Sequence, residues 1–273
     1  MRVALCNEVV RELPFERQCA LAAALGYDGM EVAPFTLDAE APHLLPASRR
    51  AELRRIATEA GVPITSLHWL LVAPGGLSIC AADPALLVRT RDVVQRLVGL
   101  AADLGAAVLV HGSPGQRPVR DDDDARRAEE TMRLAGDWAA AAGVTYCLEP
   151  LDAGQTSWAR TVEEAAGIVR RAASPGLATM LDVSAAGNGE ADPVPDLLDR
   201  WLPTGLIRHI HFNDRNRRGP GQGPDRFAPI IAALRRNAYD GWCAVEPFEY
   251  VPDGPGAAAR AIGYLRGIEE TTA

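Results

Sequence analysis

Four short apolar runs in this chain each close on a residue able to bind a metal. Glu149 follows Thr145-Tyr-Cys-Leu, Asp182 follows Thr179-Met-Leu, His211 follows Ile207-Arg-His-Ile, and Glu246 follows Cys243-Ala-Val. They are spaced by 33, 29 and 35 residues, a rhythm that fits one strand and one helix per step. Four consecutive parallel strands would then present these side chains at the same end of a sheet. Two Glu, one Asp and one His gathered there suit a divalent cation that holds and polarises an oxygen-rich substrate. Taken singly, a carboxylate at a strand end reads equally well as a helix cap, so the inference rests on the four together.

The elements that must position them follow from hydrophobic pattern. Strand-like runs recur at Val3–Cys6, Gly29–Val32, Ile64–His68, Ala107–His111, Thr145–Glu149, Ala178–Asp182, Ile207–Phe212 and Trp242–Glu246. They are continuously apolar rather than alternating, as parallel strands covered on both faces require. Helical periodicity fills the gaps at Phe15–Leu25, Pro46–Ala60, Pro84–Leu104, Asp124–Ala142, Thr161–Ala173, Asp225–Asn237 and Gly256–Gly267. Gly26, Gly61, Gly105 and Gly143 stand where helices stop before the next strand. Eight strand–helix units predict a (β/α)8 TIM barrel, one domain over residues 1–273. An open doubly wound sheet is the alternative, but no G-x-G-x-x-G turn follows the first strand. The sixth helix is the weakest, because Gly187–Pro195 is rich in Gly and Pro.

Composition narrows the chemistry. All 28 basic residues are arginine, which excludes Schiff-base, pyridoxal phosphate and phosphate-loop chemistry that needs a lysine amine. A net charge of −8 argues against a nucleic-acid or membrane-surface partner. The five cysteines, Cys6, Cys19, Cys80, Cys147 and Cys243, include no C-x-x-C pair and read as reduced, buried thiols. With no signal peptide expected ahead of the first strand and no run long enough for a membrane span, a cytoplasmic protein is expected. Asp121–Asp124 lacks the alternation, central Gly and distal Glu of a calcium loop, and reads as an acidic helix cap.

Other residues would line the same mouth. Glu8, Glu31, His68 and His111 close the first four strands. His68 and Trp69 are expected to contact substrate, although Trp69 could equally be packing. His209 shares a side of its strand with His211, deeper in the barrel, and reads as a supporting group rather than a ligand. Gly219-Pro-Gly-Gln-Gly could cradle a phosphate, but no helix start follows it at once and a plain loop is favoured.

These pieces resemble the xylose-isomerase-like barrel superfamily, in particular its sugar isomerase/epimerase branch of ketose 3-epimerases and hydroxypyruvate isomerases. The resemblance is carried by Leu25-Gly-Tyr-Asp-Gly-Met-Glu-Val, Ser66-Leu-His-Trp, Val110-His-Gly-Ser, Leu148-Glu-Pro-Leu, Met180-Leu-Asp, His209-Ile-His-Phe-Asn-Asp-Arg-Asn-Arg and Tyr239-Asp-Gly-Trp-Cys-Ala-Val-Glu. It implies that Glu149, Asp182, His211 and Glu246 bind one divalent ion (Mn, Mg or Co). It also implies that Glu149 and Glu246 act as bases on opposite faces of a carbohydrate or related polyol, through a cis-enediolate. His68, Trp69, His111, Gln155 and Arg217 would bind substrate, Arg217 sharing its loop with Arg215 and Arg218. Members of the branch are often homodimers or homotetramers.

Two departures bear on substrate. Ketose 3-epimerases carry a histidine where this chain has Ala185, and a glutamate where it has Gln155. The catalytic set is therefore better defined than the ketose specificity. A dehydratase of inosose or dehydroshikimate type shares the first proton abstraction and is the nearest alternative. An abasic-site endonuclease would need further metal ligands where Ala185 and Arg215-Asn-Arg-Arg stand. A non-catalytic sugar-binding barrel is the remaining reading.

Overall fold

A computed structural model describes residues 1–271. Eight strands, β1 (Arg2–Cys6), β2 (Gly29–Val32), β3 (Ile64–Leu67), β4 (Val108–His111), β5 (Thr145–Leu148), β6 (Leu177–Asp182), β7 (Ile207–Phe212) and β8 (Trp242–Val245), form a closed barrel in chain order. Every pairing is parallel, and β1 meets β8 through Val3 opposite Cys243 and Ala4 opposite Ala244. The strands are almost wholly buried. That explains why their sequences run apolar instead of alternating: one face meets the interior of the ring and the other meets the helices.

Nine α-helices connect or follow the strands among the described residues: α1 (Phe15–Leu25), α2 (Ala47–Glu59), α3 (Pro84–Leu104), α4 (Asp122–Ala142), α5 (Val162–Ala172), α6 (Val183–Gly189), α7 (Val194–Trp201), α8 (Phe227–Arg236) and α9 (Gly254–Thr271). Their starts follow local chemistry. Asp83, Asp121 and Thr161 each accept a backbone N–H in the first turn of α3, α4 and α5. The acidic run at Asp121–Asp124 is thus a cap, as its pattern indicates. At the other end, Gly26, Gly105 and Gly143 take the left-handed conformation that stops α1, α3 and α4 and turns the chain into the next strand.

The weak sixth helical segment divides in two. α6 begins directly on Asp182 and ends at Gly189, and α7 restarts after Pro193 with Pro195 in its first turn. Proline is tolerated there because first-turn N–H groups lack intrahelical partners. All five cysteines are free and buried. Among the described residues no helix is long and apolar enough to cross a membrane.

Candidate metal and proton-transfer site

The strands end one residue earlier than expected at three places, so His68, Glu149 and Glu246 stand just past β3, β5 and β8. Asp182 and His211 lie on adjacent strands and are register partners. One ligand atom from each of Glu149, Asp182, His211 and Glu246 falls within 4.8 Å of the other three. All four residues are buried: His211 fully, Glu246 2 %, Asp182 3 % and Glu149 5 % exposed.

Each is held differently. Asp182 Oδ1 accepts from the Ala185 N–H at 2.6 Å, the first turn of α6, and Oδ2 accepts from Asn213 Nδ2 at 2.7 Å. Asn213 also donates to the Glu246 carbonyl at 3.1 Å and accepts from the Ser184 N–H at 2.9 Å, tying β6, β7 and β8 together. Glu246 Oε1 is gripped from β3, with His68 Nδ1 at 2.9 Å and the Trp69 indole N–H donating at 2.8 Å. Glu149 Oε1 lies 3.7 Å from His211 Nδ1.

Beneath the cluster is a layer of buried polar groups. Glu31 is completely buried and faces His209 Nε2 at 2.6 Å and His211 Nε2 at 2.7 Å, and it accepts from Ser66 Oγ. His68 Nε2 lies 2.9 Å from Glu8 Oε2. His209 is thus fully buried against Glu31, next to His211. Glu31 orients His211 from below.

Electrostatics favour a cation at the cluster. Burial, with the charges of Glu149 and Glu246, raises the Asp182 carboxyl to about 7. Burial opposes ionisation of Glu246, but His211 and His68 outweigh it and hold that carboxyl down at about 2. His211 Nδ1 and Glu246 Oε2 form an ion pair at 2.8 Å, and Glu149 Oε1 and Asp182 Oδ2 lie 3.7 and 3.9 Å from the same nitrogen. Three carboxylates and one imidazole crowded on one buried point are a donor set that would suit a shared divalent ion. Glu31, His209 and His211 also lie close enough to form a metal set, but Glu31 already has its hydroxyl and imidazole partners. The four-residue cluster is the better fit.

The expected substrate-binding residues separate. His68 and Trp69 meet at Glu246. Arg217 and Gln155 line a small cavity of about 80 Å³ with Glu149, Asp182, Ala185 and Phe248. The Arg217 guanidinium stacks 4.7 Å over the Phe248 ring, and Gln155 is exposed and bonded to Asp152. His111 is fully buried with Nδ1 2.8 Å from the Tyr146 hydroxyl, and burial pushes its imidazole down to about 3. The glycine-rich loop closes on its own Asp214: a Cβ at Gly223 would fall 2.1 Å from Asp214 Oδ1. A larger surface groove of about 530 Å³ lies elsewhere, along α2 beside Arg50, Arg54 and Arg55, with no such cluster in its wall.

Sequence reasoning passed over Asn213 and Arg117. Asn213 stands two residues beyond His211, just past the end of β7, and that nearness to a candidate ligand is a usable signal. Arg117 lies between Gln and Pro in a turn, where arginine is ordinarily solvated.

Fold and site together define a parallel (β/α)8 barrel with a buried carboxylate–imidazole centre at the C-terminal mouth. The chain belongs to the xylose isomerase-like TIM barrel family, whose family model matches residues 19–268. It is 27% identical over 230 residues to a D-psicose 3-epimerase of Agrobacterium fabrum, covering 83% of this chain and 76% of that protein. It is 31% identical over 174 residues to a probable endonuclease 4 of Mycobacterium tuberculosis, covering 63% of this chain and 66% of that one. A crystal structure of 3-keto-D-glucoside 4-epimerase from E. coli superposes with a TM-score of 0.82 at 20% identity, covering 98% of this chain and 99% of that chain.

Proposed function

We propose that this protein is a divalent-metal-dependent isomerase or epimerase of a sugar or sugar-like polyol. The observation that carries this reading is the convergence of Glu149, Asp182, His211 and Glu246 on one buried point. Similarity to sugar epimerases supports it. When bound there, a divalent ion (Mn, Mg or Co) supplies positive charge that polarises a substrate carbonyl and acidifies the neighbouring C–H.

The chain's own residues do the rest. Glu149 and Glu246 are the acid/base pair: one takes the proton from the carbon beside the carbonyl, and the other returns a proton from the opposite face. Two bases permit inversion at that carbon. Asn213 keeps Asp182 and the Glu246 backbone in register, while His68 and Trp69 hold Glu246 Oε1. Arg217 and Gln155 border the space where substrate oxygens would lie. Ala185 and Gln155 leave that border short of a histidine and a carboxylate, which favours a substrate other than a free ketohexose.

The same first step would serve a dehydratase. A panel of ketoses, inososes and their phosphates in deuterated water with manganese separates the two. Solvent deuterium at the inverted or adjacent carbon without loss of water supports the proposal. A new enone absorbance replaces it with a lyase. The acidic net charge and the pairing of Arg215 with Asp225 count against an endonuclease, which cleavage of an abasic duplex would restore.

A further inference from the structure

Arg117 is almost completely buried, at 1 % exposure, and is the bulkiest such side chain among the described residues. It lies directly after the short 3-10 turn Pro114–Gln116 that follows β4. Its Nη1 donates to the main-chain carbonyl of Glu149 at 2.7 Å, while Nε and Nη2 have no partner. Keeping a guanidinium out of water on one hydrogen bond is costly, and a neutral side chain could fill the same volume. The one hydrogen bond of this arginine thus points at Glu149.

Gly112, four residues earlier in the same segment than Gln116, meets Glu149 from another side. A Cβ built there would fall 1.6 Å from Glu149 Oε2 and 2.9 Å from its Cδ. Its backbone is not left-handed, so the requirement is for space. The segment itself is anchored: the Ile79 N–H donates to the Gln116 carbonyl at 2.9 Å, and the Glu149 N–H donates to the His111 carbonyl at 3.2 Å.

We propose that Arg117 and Gly112 are positioning residues for Glu149, the arginine fixing its backbone and the glycine leaving the one course its carboxylate takes toward the cluster. This rests on Glu149 being a metal ligand. A side chain displaced by about 1 Å loses much of its function as ligand or base, and neither residue needs to touch substrate to exert that control.

The test is calorimetric titration of the full-length chain with manganese alone, comparing wild type, Arg117→Ala and Gly112→Ala, with circular dichroism as the folding control. Both variants should bind manganese at least tenfold more weakly than wild type. Ethylguanidinium should restore affinity to Arg117→Ala and leave Gly112→Ala unchanged, a response that a general packing role would not produce. Gly112→Ala keeps the arginine and carries the test if Arg117→Ala does not fold. Wild-type binding with both variants within twofold of it overturns this inference alone. A wild-type chain that binds no manganese overturns the metal reading and this inference with it.

Discussion

Trp69 donates its indole N–H to Glu246 Oε1 at 2.8 Å from a backbone in the left-handed region, at φ 51. A non-glycine residue held there stores strain of about 1–3 kcal/mol, and the residue is kept in place by edge and tilted contacts with Phe35 and Phe248. Sequence pattern made Trp69 a substrate contact; its firmest contact is the proposed base. Hydrogen bonds to charged groups contribute about 1.5–3 kcal/mol. Trp69→Phe should therefore lower kcat on the best substrate of the panel by about 10- to 100-fold, read by steady-state kinetics with manganese. An unchanged kcat with a raised KM would return Trp69 to a purely substrate-binding role.

Replacing the bases tests the two-carboxylate mechanism more directly. Glu149→Gln and Glu246→Gln should each reduce solvent hydrogen exchange into substrate by about 10²- to 10⁴-fold, measured by NMR in deuterated water. Full exchange in both variants would show the mechanism to be wrong.

Removing the ion should cost stability as well as turnover. A ligand present at 100 times its Kd stabilises the native state by about 2.7 kcal/mol. Adding manganese to chelator-treated protein should raise Tm by about 5 °C, and Asp182→Asn should shrink that increase. Equal melting with and without manganese counts against the site.

Acid sensitivity has a separate source on α4. The Arg120 side chain, with its backbone N–H and Arg127, holds the Asp124 carboxyl down from 3.8 to about 2 against the opposing effect of burial. A carboxyl depressed in the folded state stabilises the fold above pH 3.8, and that contribution disappears as pH falls toward 2. Asp124→Asn should be less stable than wild type at pH 5 and above, with the gap closing near pH 2. Denaturant midpoints across that range give the result, and a gap that is the same at every pH would assign Asp124 a role independent of its charge.

How much of this was legible in the sequence depended on distance along the chain. Strand ends are local, so Glu149, Asp182, His211 and Glu246 could be marked from their runs alone. The grip of His68 and Trp69 on Glu246 joins residues almost 180 positions apart, and no periodicity records it. The burial of Arg117 is tertiary: a charged residue in a Pro- and Gly-containing turn looks solvated until the turns after β3 and β4 close over it. Gly187 and Pro195 weakened one helix on propensity grounds, whereas the glycines end α6 and the proline opens α7. Glu31 sits inside β2, and its work beneath His211 follows from barrel closure.

That closure has a consequence for assembly. Glu246 comes from the last strand, yet its carboxylate is held from the third, and the final β8–β1 seam joins opposite ends of the chain. A sheet with that seam open cannot bring His68 and Trp69 to Glu246, because contacts so remote in sequence arise only when the ring shuts. Manganese affinity would then serve as a gauge of folding, reaching its full strength only in the step that completes the circle.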